Sequence, residues 1–150
     1  MLTDALLLYL HLSAMLGLAV FLTAKTSQMR PDALDAAALP RQRRLDAWVW
    51  ISFAAVLASG LALISWGSKG PYWLLHNPLL WAKAVLLASM AAMSWPSTRR
   101  LRSWHHQSQQ NAGWQLANAT VRKERRWLMV QSHVMVVIPL LATLMSHGFG

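Results

Sequence analysis

The sequence predicts an all-α integral membrane four-helix bundle whose N and C termini are both extracytoplasmic, and three observations support this prediction. The chain of 150 residues is 55% hydrophobic and only 13% charged, whereas a soluble domain carries about 25% charged residues. The hydrophobic residues are concentrated in four long windows. The basic residues are almost confined to two of the three connections between these windows.

The four windows have the length of membrane-spanning helices, because about 20 apolar residues are needed to cross a bilayer. None of them alternates with the period of two that a barrel strand requires. Three of the windows contain no Asp, Glu, Lys or Arg. The remaining window, 78–96, contains one such residue, Lys83. We therefore predict a single membrane domain over residues 1–150, with spans at about 5–24, 47–66, 78–96 and 127–146.

The distribution of basic residues predicts the orientation of the chain. Twelve of the 14 Lys and Arg residues lie in the connections 25–46 and 97–126. Loops with an excess of Lys and Arg remain on the cytoplasmic side, so both termini are expected outside, in a multi-pass protein of the bacterial inner (cytoplasmic) membrane. This alternation argues against nucleic-acid binding as the reason for the net charge of +9, because a basic groove has no need for it.

The outer connection, 67–77, is rich in Gly, Pro and aromatic residues, and this composition predicts a tight turn. Asn77 is expected to cap the third long helix, with Pro78 at its first position.

Three ionisable residues lie within the predicted spans, namely His11, Lys83 and His133. Such residues usually face the interior of a bundle or a water-filled cavity. At about 1.5 Å per residue, His11 and Lys83 lie ~9 Å and ~8 Å below the outer surface, whereas His133 lies ~20 Å below it. We therefore expect His11 and Lys83 to be at one level in the outer half of the membrane.

Two His residues at one level can hold a haem iron from both sides, but His11 and His133 differ in depth by about 11 Å. His11 is therefore the candidate axial ligand of a haem b, with His76 or His147 opposite it or with the far position empty. Lys83, the one candidate catalytic residue, would then neutralise a haem propionate or a substrate carboxylate.

Each of these residues also has a purely structural interpretation. His11 could be hydrogen-bonded to a neighbouring Ser or to a backbone carbonyl, and Lys83 could extend to the outer interface. His133, a further candidate for cofactor binding, could form an interhelical hydrogen bond beside Gln131 and Ser132.

A second group of candidate ligands lies at the outer surface, where His76 and His147 accompany Asp4 and Met145. His with Met is suited to copper, and His with carboxylate is suited to zinc or copper. None of these pairs has the short spacing that is typical of a metal site.

The second basic connection contains Trp104 and Trp114 among His, Gln and Arg residues. Trp and Arg at a membrane surface usually serve as interfacial anchors. The alternative interpretation is a surface that docks a partner protein.

Four stretches of the chain resemble the domain-of-unknown-function 2214 family of bacterial predicted membrane proteins. They are Tyr9–Leu12, Ser59–Leu61, Lys69–Lys83, and Pro139–Met145 with Gly148. The resemblance covers nearly the whole chain and implies a four-helix membrane domain, but it implies no activity because that family is uncharacterised.

The chain is more distantly similar to the J-type protoporphyrinogen oxidase and the copper-resistance D membrane proteins. This similarity implies a shared haem b pocket, because His11 and Lys83 match a His early in the first helix and a Lys in the third helix.

The function that we predict from the sequence is haem b binding with a redox role, and any enzymatic activity would be that of a membrane oxidoreductase. The expected partners are the lipid bilayer, a membrane redox partner or larger complex, and a second copy of the chain. One alternative is a non-catalytic membrane subunit or scaffold that docks a partner through its basic, Trp-containing inner loops. The other is extracytoplasmic copper handling.

Overall fold

The computed structural model describes residues 2–67, 71–111 and 113–147, and within these ranges the chain forms helices and no strand. The helices are α1 (Leu2–Gln28), α2 (Leu39–Trp66), α3 (Pro71–His76), α4 (Pro78–Gln110) and α5 (Asn118–Ser146). The four long helices are each long and apolar enough to cross a membrane. The predicted all-α membrane bundle is therefore confirmed.

The long helices form a four-sided bundle. Helices α1 and α4 each pack against both α2 and α5, while the short helix α3 contacts α2 and α4. We refer to the end of the bundle that carries the connections 29–38 and 111–117 as the inner end. The opposite end, with α3 and both termini, is the outer end.

The long helices extend beyond the predicted spans at the inner end. Helix α1 continues to Gln28, α2 begins at Leu39, and α4 runs through the interior Pro96 as far as Gln110. The apolar windows stop at the first charged residues, but Lys, Arg and Gln are good helix formers, so the helices continue past the apolar windows. The predicted loop 97–126 is consequently helical except for residues 111–117.

The start of α4 agrees with the prediction, whereas the tight turn before it does not. Asn77 Oδ1 accepts a hydrogen bond of 2.9 Å from the Leu79 backbone N–H, and Pro78 is the first residue of the helix. The expected tight turn is wrong over 71–76, because Pro71 starts the six-residue helix α3, as proline commonly does at a first helical position. Residues 68–70 of the same prediction lie outside the described residues.

The core lies in the middle and at the inner end of the bundle. A middle cluster packs around Leu18, Phe53 and Met90, and an inner cluster packs around Leu39 and Leu101. In contrast, none of the described side chains in the outer-end ranges is buried; these ranges are 2–14, 57–66, 78–89 and 139–144. The bundle is therefore tightly packed at one end and loosely packed at the other.

The two Trp residues of the inner connection lie largely in the core. Trp104 is only 7% exposed and belongs to the inner cluster, against which Trp114 packs. Their large apolar rings bury most of their area in this core, so the exposed surface of this region is formed mainly by basic and polar side chains such as Arg102, His106 and Gln109. Lys69, Gly70 and Gly148, which contributed to the family resemblance, lie outside the described residues, as does the side chain of Met145.

Candidate functional site

His11 lies at the outer end on the side of α1 that faces α2. Its Nδ1 atom is 2.9 Å from Ser59 Oγ, and the Ser59 hydroxyl lies 2.6 Å from the carbonyl oxygen of Ala55. A hydroxyl has a single proton, so when Ser59 donates to Ala55 it accepts from the Nδ1–H of His11. In this arrangement the ring proton is on Nδ1 and Nε2 is the basic nitrogen, and the backbone of Val56 also hydrogen-bonds to the ring.

The His11 ring lies directly against the backbone of α2. A Cβ atom added to Gly60 would be 3.4 Å from His11 Cε1, which is at the close limit of ordinary van der Waals contact. Gly60 thus provides the space that the ring occupies, as small residues commonly do where membrane helices approach closely.

Lys83 of α4 completes the outer-end group. Its ammonium group interacts electrostatically with His11, it is half-buried, and it has a further interaction of its own. The two residues are therefore within electrostatic range of each other, although their helices α1 and α4 lie diagonally across the bundle. We refer to His11, Ser59 and Lys83 as the outer site.

His133 does not join the outer site. It is exposed on α5, and its Nδ1 donates a 2.7 Å hydrogen bond to the carbonyl oxygen of Met129 one turn earlier. Because Gln131 and Met135 of the same helix are buried, His133 lies on the outward face. Within one copy of the chain it is directed away from the interior that a transmembrane His usually faces.

His76 and His147 are also exposed, and each donates from Nδ1 to a carbonyl oxygen of its own helix, Tyr72 at 2.8 Å and Thr143 at 2.9 Å. The His76 ring packs against Tyr72 with 4.2 Å between the ring centroids. Among the described residues there is no group of three or more His, Cys, Asp or Glu side chains that could hold a metal ion.

The most strongly buried polar group lies at the inner end and was not predicted from the sequence. Lys25 of α1 is fully buried and its Nζ is 2.6 Å from Oδ1 of Asp46 on α2, which is itself 6% exposed. Thr98 of α4 donates to the same carboxylate oxygen at 3.1 Å, and the indole N–H of Trp50 donates to Thr98 at 2.9 Å. Gln42 donates to the backbone carbonyl of Lys25 at 3.2 Å.

Further polar contacts connect the other neighbouring helices at this end. Arg100 of α4 pairs with buried Glu124 of α5 at 2.7 Å. The amide of Gln131 donates to Ser94 Oγ at 2.5 Å, and Thr26 lies 3.3 Å from Ser132. All four neighbouring pairs of long helices are thus joined by the residues that we refer to as the inner clamp: Lys25, Thr26, Asp46, Ser94, Thr98, Arg100, Glu124, Gln131 and Ser132.

One sequence signal could have revealed the central ion pair of the inner clamp. Lys25 immediately follows the first apolar window and Asp46 immediately precedes the second. Consecutive helices run in opposite directions, so both residues lie at the same depth. Both residues lie in a predicted connection, where water would solvate them, so an ion pair between them was not expected.

The comparisons with known proteins agree with the architecture and give no activity. A family model described as Predicted membrane protein (DUF2214) matches residues 3–150. No curated protein and no solved structure matches the chain, so the distant similarity to the J-type oxidase and the copper-resistance D proteins is not shown. The match extends over nearly the whole length, and the chain therefore belongs to the DUF2214 family of predicted membrane proteins.

Proposed function

We propose that the outer end of the bundle binds haem b, with Nε2 of His11 as an axial ligand and Lys83 as the partner of a propionate. The observation that carries this proposal is the hydrogen bond from His11 Nδ1 to Ser59 Oγ. A His that ligates a metal usually donates its other ring N–H to a fixed acceptor, which sets the tautomer and the orientation of the ring. Ser59 does this for His11.

The packing of the outer end is consistent with a bound prosthetic group. Protein interiors are close-packed, yet none of the described side chains in the four outer-end ranges is buried. A haem would cover inward-facing apolar side chains that are now half-buried, such as Leu7, Ala14, Leu63 and Leu87.

Lys83 is suited to the carboxylate edge of the group. Pairing lowers the cost of an ammonium within a membrane, and a propionate would add a charge partner to the interaction that Lys83 already has. Bound haem supplies one-electron redox chemistry, and the protein tunes it through the axial ligand and the surrounding dielectric. The residues of the chain hold the ring of His11 through Ser59 and bind an acidic group through Lys83. We propose a membrane oxidoreductase or electron-carrying subunit of the bacterial inner membrane with extracytoplasmic termini.

An absorbance spectrum of the detergent-purified protein from haem-supplied cells tests this function. We expect a Soret band in the wild-type protein and its loss in His11→Ala, because that change removes the ligand. In Ser59→Ala the band should persist, but the affinity for haem should fall by about 10-fold, as it does when other hydrogen-bond partners of metal ligands are removed. The purified variant should therefore contain less haem. His133→Ala is the matched control and should retain the wild-type band.

A colourless wild-type preparation, or a Soret band that survives in His11→Ala at wild-type intensity, would contradict haem ligation by His11. Loss of the band in His133→Ala alone would instead identify His133, on the outward face of α5, as the haem ligand.

A second candidate function is a non-catalytic membrane subunit, and the position of His133 favours it. A polar ring on the outward face of a membrane helix is costly against lipid, so a neighbouring protein is a better environment for it. A stoichiometric partner in a preparation without chromophore or metal would support this candidate over haem binding.

A further inference from the structure

A cleft at the inner end opens between α2 and α4. It has a volume of about 290 Å³ and is lined at one side by Arg43, Trp50 and Ile51 of α2 and at the other by Thr98 and Arg102 of α4. The inner clamp forms part of its wall, because Asp46 also lines it. Neither the proposed haem site nor the family description involves this cleft.

The charges of the cleft favour an anion. Arg43 and Arg102 are exposed, and neither is paired with a carboxylate among the residues that the structure describes. The one carboxylate in the wall, that of Asp46, is already compensated by Lys25 at 2.6 Å and by the hydroxyl of Thr98 at 3.1 Å. Two guanidinium groups therefore remain available, and guanidinium is the group best matched to a phosphate.

The cleft also adjoins an apolar surface that a soluble anion would not need. Ile51 lines the cleft and is 53% exposed. Trp95, next to the cleft on α4, is 54% exposed, and its ring packs edge-on against Trp50 of the cleft wall, with 6.2 Å between the ring centroids. The Arg99 guanidinium lies over Trp95, 5.2 Å from the ring centroid. Basic and aromatic side chains with this arrangement are typical of the boundary between headgroups and acyl chains.

We propose that this cleft binds an anionic phospholipid, with the headgroup phosphate between Arg43 and Arg102 and an acyl chain along Ile51 and Trp95. Basic pockets between membrane helices on the cytoplasmic side bind such headgroups. The basic end of the bundle lies on that side if the charge asymmetry sets the orientation as usual. The occupant is a membrane lipid because the phosphate-binding groups and the apolar surface adjoin each other.

Binding of phosphatidylglycerol to the full-length protein in detergent, followed by native mass spectrometry, tests the proposal. We expect saturable binding to the wild-type protein and about 30-fold weaker binding to the double variant Arg43→Gln, Arg102→Gln, because two phosphate contacts are lost. Both side chains are exposed, so the variant should fold. The matched control is Arg122→Gln, Lys123→Gln, which removes the same charge from exposed positions on α5 and should bind as the wild type does.

Two reference ligands identify what the cleft recognises. Phosphatidylcholine should bind at least 10-fold more weakly than phosphatidylglycerol, and inorganic phosphate at the same concentration should not displace the bound lipid. The proposal is overturned if phosphatidylcholine binds equally, if phosphate displaces the lipid, or if the cleft variant and the control bind phosphatidylglycerol equally.

Discussion

At the scale of the residue, the Lys25–Asp46 pair has the largest energetic consequence. Both groups are buried and their charged atoms are 2.6 Å apart. The attraction within such a pair roughly balances the cost of removing both charges from water, whereas loss of one partner leaves an uncompensated charge. The intact pair therefore contributes little net stability, but removal of either member alone destabilises the protein.

We predict that Asp46→Asn destabilises the protein by about 3–5 kcal/mol, because the Lys25 ammonium loses its carboxylate. The double variant Lys25→Met, Asp46→Asn should recover most of this loss, since no buried charge remains. Apparent unfolding free energies of the detergent-solubilised protein provide the measurement.

Asp32→Asn is the control for this series. The Asp32 side chain is 77% exposed and 4.0 Å from Arg30, so its change should shift stability by less than ~0.5 kcal/mol. The explanation fails if Asp46→Asn is as stable as Asp32→Asn, or if the double variant is no more stable than Asp46→Asn.

At the scale of the element, hydropathy was sufficient for the number and type of the long helices, and the Asn77-Pro78 pair was sufficient for the cap of α4. It was not sufficient for their ends, because α4 continues 14 residues beyond the apolar window that ends at Pro96. The common depth of His11 and Lys83 was expected from the sequence, and the electrostatic interaction between them agrees with it. The partners of Gln131 and Thr98 could not be predicted, because they depend on the rotation of each helix about its axis.

The rotation of α5 has its own consequence, because it directs His133 outward together with Val130, Val136 and Val137. We predict that this face contacts a second copy of the chain, since a polar ring is better accommodated by protein than by lipid. The chain has no Cys, so a single His133→Cys substitution should form a disulfide-linked dimer on oxidation in membranes.

Val20→Cys is the control for this crosslink, because Val20 is 53% exposed on a different helix, α1. It should remain monomeric under the same oxidation. Equal dimer yields from the two variants would argue against an interface on α5.

At the scale of the whole molecule, the two ends of the bundle differ in how firmly they are held. The inner clamp joins every neighbouring pair of long helices, whereas the outer site joins α1 to α2 through one hydrogen bond. Local opening requires less free energy where buried contacts are few. The outer end is therefore the part of the bundle that can admit and release a ligand.

This difference predicts a gradient of amide hydrogen exchange along α2 in lipid nanodiscs. The outer segment 57–64 should exchange faster than the inner segment 46–53, although both lie within one continuous helix. Asp46→Asn should accelerate exchange in the inner segment and leave the outer segment unchanged. Uniform protection along α2 in the wild type would show that both ends are held equally.

The ion pair between α1 and α2 also bears on the biogenesis of the protein. Lys25 and Asp46 are separated by 21 positions, so the first two helices can bring these charges together before α4 has left the ribosome. Synthesis proceeds from the N terminus, and a hairpin whose buried charges already neutralise each other can enter the bilayer without waiting for the second hairpin. Thr98 and Trp50 then provide the contacts by which the second hairpin recognises the first.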